Sequence, residues 1–463
     1  MNNLRPFRFW CQKVLPLVYD DELSYYELLC KVVDYLNKTI ENVNSLSENF
    51  DELVKMFNTL KEYVNNYFKN LDVQEEINKK LDEMASNGTL KDLINGWVTP
   101  EMYGAIGDGV TDDSDAFQKM FNDIKDNTQI VLKARNYYIS KPLLLRKNEI
   151  RISGQFIRSE YSPALVTDFT NGTLLTVTGY GFSASNIVIR TNLSVTPTTE
   201  TTTGILFNRD SVEGDGNIDA ILSNVTIMRF ASGCSIIGRN VNINSCGFTE
   251  NRVAINVEKI EVITEQRGII IDNCRFHYGI IAVQNKMRLK RENSLFLNNC
   301  FCDGMQILFT GYGNGCVINN NYCTTMVLAG TFISIRGDSD NNYPLVISNN
   351  VLNGSKTKSY MIFLDNAVRA AIIKNNTFMW CTNSCINISG LNTGFSVEIT
   401  GNTFYMCAEN YDSAIINTNA AQWGFIVNNY ITNNITNKEF INFSNQKPNS
   451  RLIKEPNYQT HEN

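Results

Sequence analysis

Residues 371–378 read AIIKNNTF, and residues 397–404 read VEITGNTF. Both follow the pattern apolar-x-apolar-x-x-Asn-x-apolar, whose first half alternates as a half-buried β-strand does. The pattern recurs at a period of about 26 residues, with cysteine in place of asparagine in some copies. A regular period of this length predicts a repeat architecture. The other copies lie at 241–248, 269–276, 295–302, 316–323, 345–352 and 425–431.

A second short apolar stretch lies about ten residues after each copy, from AINV at 254–257 to FINF at 440–443. Each period therefore contains two short alternating strands and no helical stretch. One such coil cannot bury its apolar face alone, so we expect coils to stack about 4.8 Å apart around a shared core. The sequence predicts a mostly β protein, with a right-handed parallel β-helix over residues 127–445.

The sixth position of the pattern holds asparagine or cysteine in every copy. An asparagine stacked on the asparagine of the next coil can continue a side-chain hydrogen bond along the solenoid, and a thiol can fill the same slot as a small apolar group. We therefore predict core positions, with no catalytic or redox role for the cysteines. These residues are Cys246, Cys274, Cys300, Asn321, Asn350, Asn376, Asn402 and Asn429.

The first part of the chain has helical periodicity instead. Between Val43 and Leu71 apolar residues recur at alternating spacings of three and four, which predicts a coiled coil. A helical hairpin that folds on itself is the alternative, because it shows the same periodicity. We assign residues 20–97 to an α-helical coiled-coil anchor.

Aromatic and basic side chains interleave before this anchor, in residues 1–19. Exposed aromatic and arginine side chains are typical of interaction surfaces, which makes this stretch a candidate docking segment. The alternative is that the rings pack on the first helix. At the other end, residues 446–463 are predicted to form a polar C-terminal tail. The candidate docking residues are Phe7, Arg8, Phe9 and Trp10.

Four carboxylates stand close together beside three glycines between Met102 and Phe121. The local pattern predicts a glycine turn and then a short amphipathic helix, which suits the open end of a β-helix because that end must be covered. A calcium loop would need oxygen ligands at alternating positions, and Val110 interrupts them. We therefore assign residues 98–126 to a capping motif whose carboxylates are structural: Asp108, Asp112, Asp113 and Asp115.

Composition narrows the function classes. A net charge of −6 and a pI near 5.3 argue against nucleic-acid binding. No run of 18 apolar residues occurs, and the first residues do not match a signal peptide, so no membrane insertion is expected. With two histidines and no paired cysteine motifs, we expect no metal and no cofactor.

The stretch YGAIGDGVTDDSDAFQ at 103–118 resembles the capping motif of the pectate-lyase-like β-helix family, which is widespread in bacteriophage tailspikes and related depolymerases. In that family the motif covers the end of the β-helix and is not catalytic. Residues 7–44 and 71–90 are similar to the virion-anchoring region of appendage proteins in short-tailed phages of Gram-positive bacteria. The resemblances imply a homotrimeric appendage on phage collar, portal or tail proteins, assembled in the host cytoplasm. Tailspikes commonly carry a C-terminal β-sandwich, and the sequence after the repeat is not expected to form one.

Two sets of residues are candidate sites on the repeat. Polysaccharide hydrolysis needs two carboxylates near the scissile bond, and a lyase needs a base with a charge-neutralising partner. Neighbouring coils can supply such groups in one column. If the protein is an enzyme, the catalytic set is Arg336, Asp338 and Asp365. A second set of glycan-contact candidates is Glu250, His277 and Asp303. Solvated charges, or ion pairs that support the edge, are the alternative for both sets.

The sequence thus predicts a virion structural appendage that acts in host adsorption by contacting cell-wall polysaccharide or teichoic acid. A cell-surface glycan depolymerase on the same β-helix is the alternative. A purely architectural collar or tail component is the second alternative.

Overall fold

The computed structural model describes residues 97–463 with gaps, which are residues 156–161, 193–200, 210–216, 259–267, 288–294, 314, 325–330, 337–342, 359, 366–369, 390–395, 408–413, 419–422, 433–440, 443–450, 454–456 and 461–463. Before residue 97 it describes five residues, all α-helical: Val33, Asn37, Asn58, Thr59 and Lys61. The predicted docking segment and the rest of the predicted coiled coil lie outside the described residues. Within the described part, no helix is long and apolar enough to cross a membrane.

Three parallel sheets, here called A, B and C, run along the solenoid. Sheet A consists of Trp97–Val98, Gln129–Leu132, Arg151–Gly154, Ser183–Ser185, Asn217–Ser223, Arg239–Asn244, Ile269–Asp272, Leu295–Asn298, Cys316–Asn319, Leu345–Ser348, Ala370–Lys374, Ser396–Thr400, Trp423–Val427 and Arg451–Ile453. Sheet B consists of Asp108–Asp112, Asn136–Tyr138, Ala164–Thr167, Val188–Thr191, Thr226–Met228, Gly247–Thr249, Arg275–His277, Phe301–Asp303, Tyr322–Thr324, Val351–Lys358, Thr377–Cys381, Thr403–Cys407, Tyr430–Thr432 and Tyr458–Thr460. Sheet C consists of Leu143–Leu145, Asn171–Val177, Thr201–Asn208, Ser232–Ile237, Val253–Val257, Ile281–Asn285, Ile307–Tyr312, Thr331–Arg336, Tyr360–Asp365, Ile386–Ser389, Ile416–Thr418 and Ile441–Asn442.

Each strand pairs with the strand one coil away, so every coil lies directly on the next. For example, Ile347 pairs with Ile373 and Ile373 with Ile399, and all three side chains are fully buried. Aromatic side chains stack in the same way, with the ring centroids of Phe378 and Phe404 5.0 Å apart. The predicted parallel β-helix is confirmed, but its sheets extend beyond the predicted range of 127–445. Sheet A begins at Trp97–Val98, and strands Arg451–Ile453 and Tyr458–Thr460 lie in the segment predicted to be a polar tail.

The coil contains three strands, so the prediction of two strands per period was wrong. The repeat pattern turns at its fifth position, where the backbone enters the left-handed region, as at Asn375 with φ of 55°. Asparagine adopts this conformation more readily than most residues, and the equivalent residue one coil later is Gly401. The sixth position, such as Asn376, follows this turn, and the strand of sheet B begins one residue later, as at Thr377.

The buried asparagine column is a continuous hydrogen-bonded ladder, as predicted. Nδ2 of Asn376 donates to Oδ1 of Asn402 and to the carbonyl oxygen of Ile347, both at 3.0 Å. Oδ1 of Asn376 accepts from the backbone nitrogen and from Nδ2 of Asn350, both at 2.9 Å. No polar atom of this buried side chain is left unpaired, so hydrogen bonds within the ladder compensate for the loss of water. The ladder consists of Asn321, Asn350, Asn376, Asn402, Asn429 and Asn457.

The cysteines of the same column are core residues. The Cys246, Cys274 and Cys300 side chains are buried, and Sγ of Cys300 lies 3.0 Å from the carbonyl oxygen of Asn298. All ten cysteines in the described ranges are buried and free of disulfides. Burial raises the pKa of Cys316 to about 12 and raises that of Cys300 as well. Thiols held protonated at neutral pH are poor nucleophiles, which favours a packing role for Cys300 and Cys316. Hydrogen bonds with Cys246 and Cys300 lower the pKa of Cys274, which is nevertheless buried in the same column.

The four carboxylates of the capping motif are all bonded to their own chain. Asp108 accepts from the backbone nitrogens of Val110 and Thr111 at 2.9 and 2.7 Å. Asp113, which is 1% exposed, accepts from the backbone nitrogens of Ile106 and Gly107 at 2.6 and 3.0 Å. The other two bond Ser114 and Lys141, since Asp112 accepts from the Ser114 nitrogen at 3.0 Å and Asp115 pairs with the Lys141 ammonium at 2.8 Å. These contacts agree with a structural interpretation of the carboxylates.

Helix α1 (Ser114–Asp123) covers the first edge of sheet C. Phe117, Met120 and Phe121 face the core and are almost completely buried. The side chain of Gln118 takes the place of a neighbouring strand, because its Oε1 accepts from the Leu144 nitrogen at 2.9 Å and its Nε2 donates to the Leu144 carbonyl oxygen at 3.0 Å. The helix thus satisfies backbone groups that an open sheet edge would expose.

Candidate functional site

Residues between two inward-facing side chains form an outer column on each sheet, and these columns differ in chemistry. On sheet A, five consecutive strands present apolar side chains, which are Ile270, Phe296, Val317, Val346 and Ile372. On sheet C, the corresponding column is almost entirely amide and hydroxyl side chains. The two faces therefore suit different partners.

The outer column of sheet C, here called the amide column, crosses eight consecutive strands in register. It contains no charged side chain, and one aromatic residue, Phe363, interrupts its polar members. Alternation places these residues on the outside, because their neighbours in each strand, such as Ile386 and Ile388 beside Asn387, are buried in the core. The members are Ser235, Asn256, Gln284, Thr310, Ser334, Phe363, Asn387 and Asn417.

Several acceptors in the amide column are unsatisfied. The Oδ1 atoms of Asn256, Asn387 and Asn417 are buried and find no hydrogen-bond partner in the described part of the chain. Asn256 and Asn387 are only 5% and 8% exposed. A buried acceptor without a donor costs about 1–3 kcal/mol, so three in one column need an explanation.

Two other asparagine columns of the same solenoid are bonded from coil to coil. The buried ladder described above satisfies every side-chain atom. On the outside, Asn320 donates to Asn299 at 2.7 Å and Asn349 donates to Asn319 at 2.8 Å. Among the described residues, Asn242 on the outer face of sheet A also has an unpaired Oδ1 atom, but the amide column brings three such acceptors to one face. Its free acceptors point to a ligand that brings hydrogen-bond donors.

A charged column runs beside the amide column, two residues further along each strand. Arg336 is exposed and pairs in register with Asp365, as the sequence predicted for coil neighbours. Ser389 on the next coil lies 3.4 Å from Asp365. At the start of the column, Lys286 pairs with Glu258 at 3.1 Å. Asp338, the third predicted catalytic residue, lies outside the described residues.

Phe363 stands between these groups. It is two residues before Asp365 on the same face, and its ring centroid is 5.8 Å from that of Tyr360. Ser334 and Asn387 are its neighbours in the amide column. The half-exposed ring therefore offers an apolar surface with polar side chains on both sides along the axis.

The second predicted set, on sheet B, is occupied by its own neighbours. Glu250 pairs with Arg229 at 2.6 Å, and Asp303 pairs with His277 at 3.2 Å. Asp303 also accepts from the Thr324 hydroxyl at 3.0 Å. His277 and Asp303 are brought together, while Glu250 faces a different partner. This arrangement favours the interpretation as cross-coil pairs that support the edge of the sheet.

The groups needed for two-carboxylate hydrolysis are only partly present in the described ranges. In the charged column, Asp365 has Arg336 and Ser389 as neighbours. Glu258 is four strands away, roughly 19 Å at about 4.8 Å per coil, whereas the two carboxylates of a glycosidase stand about 5–10 Å apart. The described residues contain no group of three or more side chains suited to a metal ion.

The amide column was missed by the sequence analysis, although its members lie in the second apolar stretch of each period. Asn256 in AINV and Asn387 in CINI occupy the one polar position of those stretches. A polar residue on the outer face of a strand is unremarkable by itself. Only the Oδ1 atoms, which find no partner among the residues that the structure describes, distinguish these amides from ordinary surface residues.

Comparison with known proteins gives one short sequence match and a similarity of fold. No model of a known protein family matches the chain. The capsule K30/K69-specific depolymerase of Klebsiella phage K64-1 is 46% identical over 50 residues, which amount to 11% of this chain and 6% of the depolymerase. The match thus spans a small part of either protein.

Two solved structures resemble the solenoid. The catalytic unit of a thermostable GH87 α-1,3-glucanase from Streptomyces thermodiastaticus aligns with a TM-score of 0.51 at 12% identity, over 79% of this chain and 69% of the glucanase. The tailspike protein of E. coli bacteriophage HK620, in complex with a pentasaccharide, aligns with a TM-score of 0.49 at 10% identity, over 74% of this chain and 73% of the tailspike. The likeness to the glucanase concerns the fold alone.

Proposed function

We propose that this tailspike-like β-helix protein is a bacteriophage virion appendage that adsorbs the particle to cell-envelope polysaccharide, and that the outer face of sheet C binds the glycan. The amide column is the observation that carries the proposal. It is a straight row of hydrogen-bonding groups with unpaired acceptors, which suits a long polymer rich in hydroxyl groups. The match to a phage capsule depolymerase supports a phage protein that contacts polysaccharide.

Retention of polysaccharide by the purified protein tests this function. A panel of purified bacterial capsular, O-antigen and wall polysaccharides is passed over the immobilised full chain. We expect retention of at least one polysaccharide, and weaker retention by the double variant Asn387→Ala/Asn417→Ala. The matched control is Thr403→Ala, which removes an outward-facing polar side chain from sheet B and should retain the polysaccharide as the wild type does. A wild-type chain that retains no member of the panel would contradict the proposal.

A glycan depolymerase is the second candidate, with Arg336, Asp338 and Asp365 as catalytic residues. The register of Arg336 with Asp365 favours it, because Arg336 has no ion pair among the described residues and stands beside a carboxylate. An arginine can neutralise charge that develops in a lyase reaction while a carboxylate acts as base. Shortening of the retained polysaccharide by the wild type, and its loss in Asp365→Asn, would establish the enzyme.

The remaining parts of the proposal concern assembly. A homotrimer is proposed from the family resemblance, and the apolar outer column of sheet A supports it as a surface that a second copy can cover. The N-terminal region with Phe7, Arg8, Phe9 and Trp10 is proposed to attach the appendage to collar, portal or tail proteins. Deletion of residues 1–90 should then remove the protein from particles. An architectural role gains if that deletion removes it while no polysaccharide is retained.

A further inference from the structure

The amide column also limits the chemistry of the ligand. Its eight members include no lysine, arginine, aspartate or glutamate, although charged residues make up 19% of the chain. The charges on this face lie in the separate column of Glu258, Lys286, Arg336 and Asp365. The Glu258 carboxylate reaches the first part of the row, where it accepts from Nδ2 of Asn256. A ligand segment that lies on the amide column from Gln284 to Asn417 meets amides, hydroxyls and one aromatic ring.

The unpaired groups in the column are acceptors. The Oδ1 atoms of Asn256, Asn387 and Asn417 each need a donor, and a sugar hydroxyl or an acylamino N–H supplies one. A carboxylate or phosphate group carries acceptors only, so against these atoms it would add repulsion to the cost of losing its own water. A hydroxyl group both donates and accepts, so it satisfies an asparagine in either orientation of the amide.

The aromatic ring adds an apolar contact at the middle of the row. Phe363 is flanked along the axis by Ser334 and Asn387. A pyranose ring has an apolar face of C–H groups and a rim of hydroxyl groups. When that face lies on Phe363, hydroxyl groups on either side are within reach of the two neighbouring coils, which are about 4.8 Å away.

We propose that the amide column binds an uncharged, hydroxyl-rich segment of the glycan, which runs along the solenoid axis with one pyranose ring on Phe363. The inference rests on the proposed adsorption function and adds the substrate class of the same face. Any charged substituent of the glycan then lies away from the amide column.

The test uses the full chain, the polysaccharide panel described above and three variants. We expect the polysaccharides with uncharged repeats to be retained, with affinity almost independent of NaCl concentration. Asn387→Asp, which keeps the shape but replaces donors with a second acceptor, should weaken binding by about tenfold, and Phe363→Ala by a similar factor. The matched control Thr377→Asp places a carboxylate on the outer face of sheet B and should leave affinity unchanged.

The outcomes separate this inference from the function on which it rests. If the wild type retains no polysaccharide, adsorption itself fails and the inference fails with it. If it retains only acidic polysaccharides, or if NaCl abolishes binding, adsorption stands and the uncharged segment is excluded. Unchanged affinity in Asn387→Asp and Phe363→Ala would also exclude it. Circular dichroism melting curves of all variants verify that a loss of binding is not a loss of folding.

Discussion

Asn376 shows how a polar residue can stabilise the interior of a β-helix. Its side chain donates twice and accepts twice, so a buried amide is as well satisfied as it would be in water. The carbonyl oxygen of Ile347 is held by the same residue. The ladder therefore ties the turn between sheets A and B on each coil to the next coil. A residue that looks polar in the sequence is part of the core.

Replacing Asn376 by alanine should be strongly destabilising. The change removes the side-chain partner of the Asn350 backbone nitrogen and of the Ile347 carbonyl oxygen, and it takes one of two hydrogen bonds from Asn350 Nδ2 and from Asn402 Oδ1. We therefore expect a loss of about 3 kcal/mol or more in the free energy of unfolding. Urea unfolding followed by circular dichroism measures it. The control is Asn375→Gly, since the next coil has Gly401 at that position, and it should cost less than about 1 kcal/mol. Equal losses in the two variants would show that the ladder is not the source of stability.

At the scale of elements, the capping motif holds the first coils together through carboxylates whose pKa values are shifted in opposite directions. Partial burial raises the pKa of Asp112, but hydrogen bonds from Ser114 and Ser140 outweigh it and lower the pKa to about 2. Burial raises the pKa of Asp113 despite its bonds to the backbone of Ile106 and Gly107. A lowered pKa adds stability that is present above the ordinary value of 3.8 and is lost as the pH falls toward about 2. The raised pKa of Asp113 has the opposite effect: its contribution to stability is present below the ordinary value and is lost as the pH rises.

Acid sensitivity of the β-helix should therefore depend on Asp112. In Asp112→Asn the decrease in thermal midpoint between about pH 5 and about pH 2.5 should be smaller than in the wild type, because the group that loses its stabilising charge is gone. In Asp113→Asn the decrease should persist, even though the variant is less stable throughout. Melting curves of the full chain across this pH range measure both. An unchanged acid response in Asp112→Asn would exclude Asp112 as its origin.

The elements themselves could be predicted in part from the sequence. Inward positions recur with a strict two-residue alternation and a fixed period, which made the solenoid and the buried Asn350 visible. The strand of sheet B was not recognised as a separate strand, because its inward residues continue the apolar pattern after a single turn residue such as Asn375. The three-residue step between the third and sixth positions was the signal of that turn. The amide column could not be predicted, since the sequence does not show which outward amides find partners.

The whole molecule presents faces with different chemistry on one scaffold. Sheet C carries uncharged polar groups, sheet B carries cross-coil pairs such as His277 with Asp303, and sheet A carries an apolar row. Because each column repeats at the coil spacing, every face is a straight surface along the axis. A long ligand and a second copy of the chain can then be accommodated on separate sides of the same solenoid. This division of faces supports an appendage that associates with other copies of the chain on one side and contacts a receptor on another.

The apolar row on sheet A provides the test of assembly. Ile270 is 37% exposed, and Phe296, Val317, Val346 and Ile372 continue the row in register. If copies of the chain associate through this face, Ile372→Asp introduces a charge that must lose its water on association, so the trimer should dissociate at protein concentrations about tenfold higher than for the wild type.

Sedimentation velocity of the full chain over a dilution series measures this change. Thr403→Asp, which adds the same charge to the outer face of sheet B, is the matched control and should remain trimeric. The charge on sheet A weakens the trimer only if that face is covered by another copy. A trimer held by the N-terminal coiled coil alone would dissociate at the same concentration in the wild type and in both variants. A wild-type monomer at all concentrations would refute the trimer. Equal behaviour of the two variants would place the contact elsewhere on the chain.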